Sequence, residues 1–447
     1  MRPLPDFPVS CASRPSAPGG DLTATGRELL RRFHALPEER LAILRRAGGV
    51  ALACGRDLFW VGGGVRDLWL GTSELDIDLV VDGALEPFAE RLAAMLGAQL
   101  RSHPQFLTAE FLAPGGMRVD LAAVRSERYV APASLPLVSP GTFASDLARR
   151  DFTINCLAVP LAPAFGDRLV DNCGGIRDLE RRCLRTLHPA SFRDDPTRIL
   201  RGLEFEARLG FSFAPETERE AESAIAEGML LRLSPARLGE AMRRALGRAE
   251  SAAGVLRRLR GLNALSAIEP GLARAGDAAA RFDAAQGAFR RAAGRPLAGT
   301  FRLALLSLAL DLDDEPRERL AKRFALPAAE RALVVGGPEH IRAAWLALGG
   351  EPLASAVHAS LALLSDEELA VVAARGEGAR AWVERECAEL RRFRLRIDGR
   401  DLIAAGLPAG PTLGRALAVT LEARLDGRID AGDELAFALG AAAGEAE

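Results

Sequence analysis

The sequence predicts an α+β protein, with a small mixed-sheet head followed by an all-helical neck, body and tail. Three observations carry this prediction. Through residue 185, short apolar runs bounded by glycine-containing turns alternate with stretches of helical period. From residue 186 onward the spacing is helical, and Ala, Leu and Arg dominate. The 447 residues suffice for about three domains. With 49% hydrophobic, 26% charged and 5% aromatic residues, the composition is that of a folded globular chain. It excludes a disordered chain, a collagen-like chain and a coiled-coil rod.

The elements follow in order. Residues 1–22, beginning MRPLPDFPVSCASRPSAPGG, read as a flexible tail, because they are rich in Pro, Ser and Gly and lack the apolar stretch of a signal peptide. The head with its leading helices spans 23–185. Helices are expected over Arg27–Phe33 and Pro37–Arg46, where apolar residues recur at three and four. LFWVGGG, residues 58–64, reads as a buried strand entering a tight glycine loop, and VRDLWLG as a helix. LDIDLVVDG is a strand, EPFAERLAAMLGA a helix, and FLTAEFLAPGGMRVDLAAV two strands around a Gly-Gly turn. A helical neck is assigned to 186–250, a helical body to 251–390 and a helical tail to 391–447. The Ala- and Gly-rich stretch from Gly261 to Pro296 is a candidate hinge, and the final GAAAGEAE is expected to fray.

No run of eighteen apolar residues occurs, so no membrane contact is expected and the cytoplasm is the default compartment. The six cysteines include no CxxC pair, so neither a zinc site nor a disulfide framework is indicated. The formal net charge of -2 does not mark a nucleic-acid binder. Arginine does cluster, at 391, 392, 394, 396 and 400, and at 243, 244, 248, 257, 258 and 260. Each cluster alone reads equally well as a solvated helix face.

Three constellations carry chemistry. The first is Val61-Gly62-Gly63-Gly64-Val65-Arg66-Asp67 followed by Asp76-Ile77-Asp78. On a strand, i and i+2 share a face, so Asp76 and Asp78 would stand side by side and need a cation between them. A hard divalent ion such as Mg2+ takes oxygen ligands of this kind and can assist displacement at phosphorus. Gly62 and Gly63, lacking side chains, let backbone N–H groups approach a triphosphate, to which Arg66 can add a charge-assisted bond. A bare DxD alone would read as an acidic loop. The second constellation, Arg149-Arg150-Asp151-Phe152-Thr153-Ile154-Asn155, suits ribose and phosphate binding, or a strand edge with a salt bridge. In the third, Asp194-Asp195-Pro196-Thr197-Arg198-Ile199-Leu200-Arg201, Asp195 is a good N-cap and Pro196 a good first helical residue. The helix should stop at Gly210. Asp195, Arg198 and Arg201 then share one face, where an acceptor and donors can mimic a base-pairing edge. Simple capping with an intrahelical ion pair would also account for them.

Together these motifs resemble the class II tRNA nucleotidyltransferases and bacterial poly(A) polymerases of the DNA polymerase beta superfamily, over about residues 35 to 246. GGGVRD with DID is similar to the metal-binding motif, and RRDFTINC to the ribose motif, which usually ends in Ala where this chain has Cys156. DNCGGIRDL, residues 171–179, is similar to the hinge motif between head and neck. DDPTRILR is similar to the protein template that selects CTP or ATP, and LSPARL, residues 233–238, to the next neck motif. Arg125-Ser126-Glu127-Arg128-Tyr129, ahead of Leu135-Pro136, is similar to the flexible loop of members that add the terminal A. Ile397–Leu402 with Gly410, Pro411, Leu413 and Gly414 is similar to the tail of long bacterial members acting on tRNA.

The resemblance implies an enzyme that adds CCA, or the terminal A alone, to tRNA 3′ ends from CTP and ATP, releasing pyrophosphate. It implies two bound Mg2+ and no nucleic-acid template. Asp76 and Asp78 are the implied catalytic and metal-binding residues. Gly62, Gly63, Arg66, Arg150, Asp151, Asp195, Arg198 and Arg201 are the implied nucleotide contacts. The neck would select the nucleotide, and the tail would touch tRNA. No protein partner is predicted. Asp120, in MRVDLA, sits where the superfamily often has a third strand carboxylate, and reads equally as a surface strand residue. The chain departs from the pattern at Glu204, where the template helix usually has a third Arg. The alternatives are a poly(A) polymerase, disfavoured by the tRNA-like tail segment, and a catalytically weak RNA-binding relative, disfavoured by the intact Asp76 and Asp78.

Overall fold

The computed structural model describes residues 24–72, 75–274 and 276–444. The tail assigned to residues 1–22 lies outside them. The chain divides into two compact units, residues 1–233 and 234–447. The stretch 186–250 therefore falls on both sides of the division, and the candidate hinge at 261–296 lies within the second unit.

The first unit is built on one six-stranded mixed sheet. Its strands are β1 (Leu58–Val61), β2 (Ile77–Val81), β3 (Gln99–His103), β4 (Thr108–Leu112), β5 (Arg118–Ala123) and β8 (Ala158–Ala162), in spatial order β3-β4-β5-β2-β1-β8. Only β2 and β5 pair in parallel. A hairpin of β6 (Arg125–Arg128) and β7 (Leu137–Pro140) stands apart. All residues of β1 and β8 are buried, which explains their continuous apolar runs. Among the described residues ten α-helices, α1 to α10, complete the unit. Helices α1 (Ala24–His34) and α2 (Glu38–Ala53) lead in, and α2 runs past the expected Arg46 because Gly48 packs on the Leu161 carbonyl of β8. Helix α3 (Gly63–Leu70) begins inside the glycine run, after Gly62 makes the turn at φ 74°. Helix α4 (Leu85–Leu96) ends at left-handed Gly97, as its sequence suggests. The remaining helices are α5 (Phe143–Ala148), α6 (Gly175–Glu180), α7 (Ser191–Asp194), α8 (Thr197–Leu209), α9 (Pro215–Ala226) and α10 (Met229–Arg232). The Gly-Gly turn between β4 and β5 is present, with Gly115 and Gly116 at φ 86° and 83°. A two-residue strand, Ser212–Phe213, pairs in parallel with Cys183–Leu184, a small sheet that the helical pattern did not announce.

Among the described residues the second unit is helical. Helix Ala278–Ala293 buries Phe282 and Phe289, so the Ala-rich stretch is a packed element. Arg243 donates to both carboxylate oxygens of Glu330, at 2.6 and 2.7 Å, and covers the Phe301 ring. Arg244, Arg248 and Arg257 each meet an acidic residue, so most of that arginine cluster is ion-paired. Leu402, Ala416 and Ala438 form a small core that closes the C-terminal helices; of the stretch expected to fray, Gly440 to Ala443 belong to helix Glu434–Ala443, and residues 445–447 lie outside the described residues. No helix among the described residues is long and apolar enough to cross a membrane.

Candidate active site

The site is a cleft of about 510 Å³ in the first unit. One wall is the sheet. Parallel pairing sets Asp78 of β2 opposite Asp120 of β5, and antiparallel pairing sets Asp120 opposite Glu110 of β4. Three carboxylates thus cross the sheet in one row and line the cleft. Asp76 was expected beside Asp78 on a strand. It lies one residue before β2 and is exposed, because the strand begins at Ile77. Its backbone is fixed by the Trp60 indole, which donates to the Asp76 carbonyl at 3.1 Å. A Cβ on Gly64 would collide with that carbonyl and with the indole, which explains the third glycine of the run.

This row is electrostatically uncomfortable. Burial, then the charges of Asp120 and Asp76, push the Asp78 carboxyl up to about 6, against the pull of Arg150 and Arg201. Burial, then Glu110 and Asp76, likewise raise Asp120. Clustered carboxylates that resist ionisation suit a hard divalent cation. Among the described residues no three His, Cys, Asp or Glu side chains close around a point that a metal could fill. A cation held by one or two carboxylates would complete its shell with phosphate and water oxygens, as Mg2+ usually does.

The opposite wall is cationic. Buried Asp146 of α5 gathers the two arginines that follow the helix. Arg149 donates to its Oδ1 at 2.7 Å and Arg150 to its Oδ2 at 3.1 Å. Arg150 also donates to the Asn155 carbonyl at 3.1 Å, and a Cβ on Gly62 would strike its guanidinium. Thus the glycine loop is bare where the arginine passes. Segment 149–155 is no strand edge, since it follows α5 and ends in a 3-10 turn, Thr153–Asn155.

Helix α8 supplies the third side. The Asp195 carboxylate accepts from the Thr197 backbone N–H at 3.2 Å and its hydroxyl at 2.7 Å, the capping role its position suggests. The helix runs to Leu209 and stops at left-handed Gly210. Asp195, Arg198 and Arg201 all line the cleft. Arg198 is held by the Ser191 hydroxyl at 2.7 Å and the Arg149 carbonyl at 2.6 Å. Glu204, one turn past Arg201, is half-buried.

Arg66 departs from expectation. It is 3% exposed and outside the cleft lining. Its nitrogens donate to Asp67, twice at 2.8 Å, and to Asn155 Oδ1 at 2.5 Å. Gly62, Gly63, Arg150, Asp151, Asp195, Arg198 and Arg201 do line the cleft with Asp78. Glu110 is the charged cleft residue that no sequence motif had named, whereas Glu127, Arg149 and Asn155 stood within motifs without an individual contact assigned to them. The alternation of TAEFL was a usable signal for Glu110, whereas Glu127 and Arg149 reach the cleft only through tertiary packing.

Two further features frame the cleft. The loop between β6 and β7 carries Tyr129, whose hydroxyl donates to Glu127 at 3.2 Å. Burial pushes that phenol up to about 12, helped by Glu127 and Asp195. Ala133 of the same loop donates its N–H to the Arg193 carbonyl at 2.9 Å, tying the loop to α7. At the exit from the sheet, the Asp171 carboxylate caps α6 through Gly175 N–H at 2.7 Å and Ile176 N–H at 3.0 Å. Fully buried Asp178 then accepts from Thr153 at 2.7 Å and Arg185 at 3.1 Å. The buried Cys156 thiol donates to the Leu147 carbonyl at 3.4 Å. Its proximity to Cys173, then burial, raises Cys156, while the Cys156 side chain lowers Cys173. The five described cysteines are all free thiols.

Comparison with known proteins agrees with this geometry. Residues 58–185 match the poly A polymerase head domain. The chain is 34% identical over 411 residues to an A-adding tRNA nucleotidyltransferase of Geobacter sulfurreducens, an alignment covering 89% of this chain and 46% of the relative. It therefore spans about half the length of that relative. It is 33% identical over 393 residues to a CC-adding tRNA nucleotidyltransferase of Deinococcus radiodurans, covering 86% of this chain and 88% of the relative. The structure of the Thermotoga maritima CCA-adding enzyme complexed with tRNA superposes with a TM-score of 0.76 at 28% identity, over 93% of this chain and 98% of that one. With two thirds and more of a full relative matched, and the cleft built from the shared motifs, the chain belongs to the tRNA nucleotidyltransferase family, whose head domain is that of the poly(A) polymerases.

Proposed function

We propose that the chain is a cytoplasmic tRNA 3′-end nucleotidyltransferase that adds CCA, or the terminal A alone, from CTP and ATP with release of pyrophosphate. One observation carries the reading. A row of strand carboxylates faces, across a single cleft, a bare glycine loop, two arginines and a helix that offers Asp195 and Arg198 together. Carboxylates alone would fit many phosphate enzymes, but a carboxylate–guanidinium pair beside them can read a base edge without a template strand.

In this mechanism Asp76 and Asp78 are the residues that would hold Mg2+, with phosphate and water oxygens completing its shell. The bound ion would polarise the tRNA 3′-hydroxyl and stabilise the leaving pyrophosphate. The chain's own residues do the rest. The loop at Gly62 and Gly63 admits the triphosphate close to the backbone, and Arg150 and Arg201 offset its charge. Asp195 accepts from, and Arg198 donates to, the base. The half-buried wall around Tyr129 and Glu127 limits water beside the reacting oxygen. The second unit and its tail segment from Ile397 to Gly414 would grip the tRNA backbone, so affinity should fall with salt. The intact β6–β7 loop supports competence for the terminal A.

The test offers three tRNA transcripts, ending at the discriminator base, at C and at CC, with labelled CTP or ATP. Completion of all three to CCA identifies full CCA addition, and a single A on the CC-ended transcript identifies A addition. Long A tails on unstructured RNA would replace this reading with a poly(A) polymerase. Binding of tRNA with no incorporation would replace it with an RNA-binding relative.

A further inference from the structure

Four side chains from three separate motifs, closed by the Phe205 ring, form a circuit beside the cleft. Arg66 of α3 donates to Asn155 Oδ1 at 2.5 Å. Asn155 Nδ2 donates to Asp151 Oδ1 at 2.8 Å. The Phe152 backbone N–H donates to that same oxygen at 2.8 Å, which leaves Asp151 Oδ2 to face Arg201 Nε at 2.7 Å. The Phe205 ring completes the circuit, with the Arg66 and Arg201 guanidinium carbons 4.8 and 5.5 Å from its centroid. Arg66, Asp151 and Asn155 are buried, whereas the Arg201 side chain is 57% exposed.

We propose that Asn155 is a positioning residue for the incoming nucleotide: anchored by Arg66, it sets Asp151, which holds the cleft arginine Arg201 in one orientation. The inference rests on the nucleotidyltransferase reading and assigns Arg66 to support rather than to triphosphate contact. The chemistry explains the choice of residue. A primary amide accepts on one side and donates on the other, so it bridges a guanidinium to a carboxylate. An aspartate at 155 would keep the Arg66 bond but set two acceptors against each other. Without a fixed Asp151, the long Arg201 side chain must be ordered by the nucleotide itself, and binding weakens by that ordering cost.

The experiment compares wild type, Asn155→Asp, Arg201→Ala and the double variant in the full chain. It measures ATP affinity by equilibrium binding, and KM and kcat by incorporation into CC-ended tRNA. Asn155→Asp should raise KM for ATP about tenfold or more, with kcat changed far less, because ordering Arg201 is a binding cost. The double variant should be no worse than Arg201→Ala alone, since residues acting in series do not add. Multiplied effects in the double variant, or a loss confined to kcat, would overturn the inference. Should Asn155→Asp fail to fold, Asn155→Ser carries the same comparison. Wild-type ATP binding without incorporation would instead refute the nucleotidyltransferase reading, while the binding comparison still tests the ring.

Discussion

Replacing Asp78 with Asn should destroy activity and yet stabilise the metal-free fold. Unfolded, this carboxyl titrates near its ordinary 3.8, and in the fold burial with Asp120 and Asp76 beside it pushes it up to about 6. Below 3.8 both states carry the proton, and Asp78 adds no pH dependence. Between 3.8 and 6 the folded state holds the proton more tightly, so stability falls as pH rises. Above 6 the full cost of the ionised carboxylate remains, about 3 kcal/mol at 1.36 kcal/mol per pH unit. Asparagine keeps the shape and carries no charge. In EDTA at pH 7.5, Asp78→Asn should therefore unfold roughly 6–12 °C above wild type, given about 2–4 °C per kcal/mol for a unit of this size. The gap should close as the pH is lowered from 6 towards 4. Mg2+ should raise the wild-type midpoint and leave the variant nearly unchanged. The assay is thermal denaturation followed by circular dichroism. A variant no more stable than wild type at pH 7.5 in EDTA would refute the electrostatic account of the carboxylate row.

Three further outcomes follow from named contacts. Gly64→Ala places a Cβ into the Asp76 carbonyl and the Trp60 indole, so incorporation should fall at least a hundredfold and the melting midpoint drop; near-normal activity would show that this backbone is not fixed as described. Asp178→Ala strands Arg185 and Thr153 at the exit from the sheet and should cost about 3 kcal/mol in urea unfolding, as removal of one partner from a buried ion pair does; a loss under 1 kcal/mol would contradict it. Cys173, which the neighbouring Cys156 side chain lowers, should alkylate with iodoacetamide at a lower pH than an ordinary thiol, and Cys156→Ala should move that midpoint upward, whereas an unchanged midpoint would contradict the coupling of the two thiols.

Much of the head was legible because each motif sits on a local signal. The apolar run 58–61 ending in glycines, the Gly-Gly turn at 115–116 and the stop at Gly210 each follow from short-range chemistry. The pairing of Arg198 with Arg201 on α8 follows from helical spacing, and Asp195, in extended backbone two residues ahead of the helix, joins them through its bonds to Thr197. What escaped depends on register and packing. Strand period placed Asp76 beside Asp78, but the partner that meets Asp78 comes from β5, forty-odd residues later, through a parallel pairing that no local pattern encodes. Arg66 looks like a phosphate ligand in sequence; only the fold shows Asp67 and Asn155 occupying its donors. Helix α2 overruns two glycines because one of them lies flat on β8. Strand β3 was missed because its exposed polar edge lacks apolar alternation.

The most direct test of the central claim is a time course of labelled AMP incorporation into CC-ended tRNA with Mg2+, run on wild type and on Asp76→Ala. The account predicts one AMP per tRNA with wild type and none with the variant. Undiminished incorporation by Asp76→Ala, or no incorporation by wild type on any of the three tRNA ends, would contradict it.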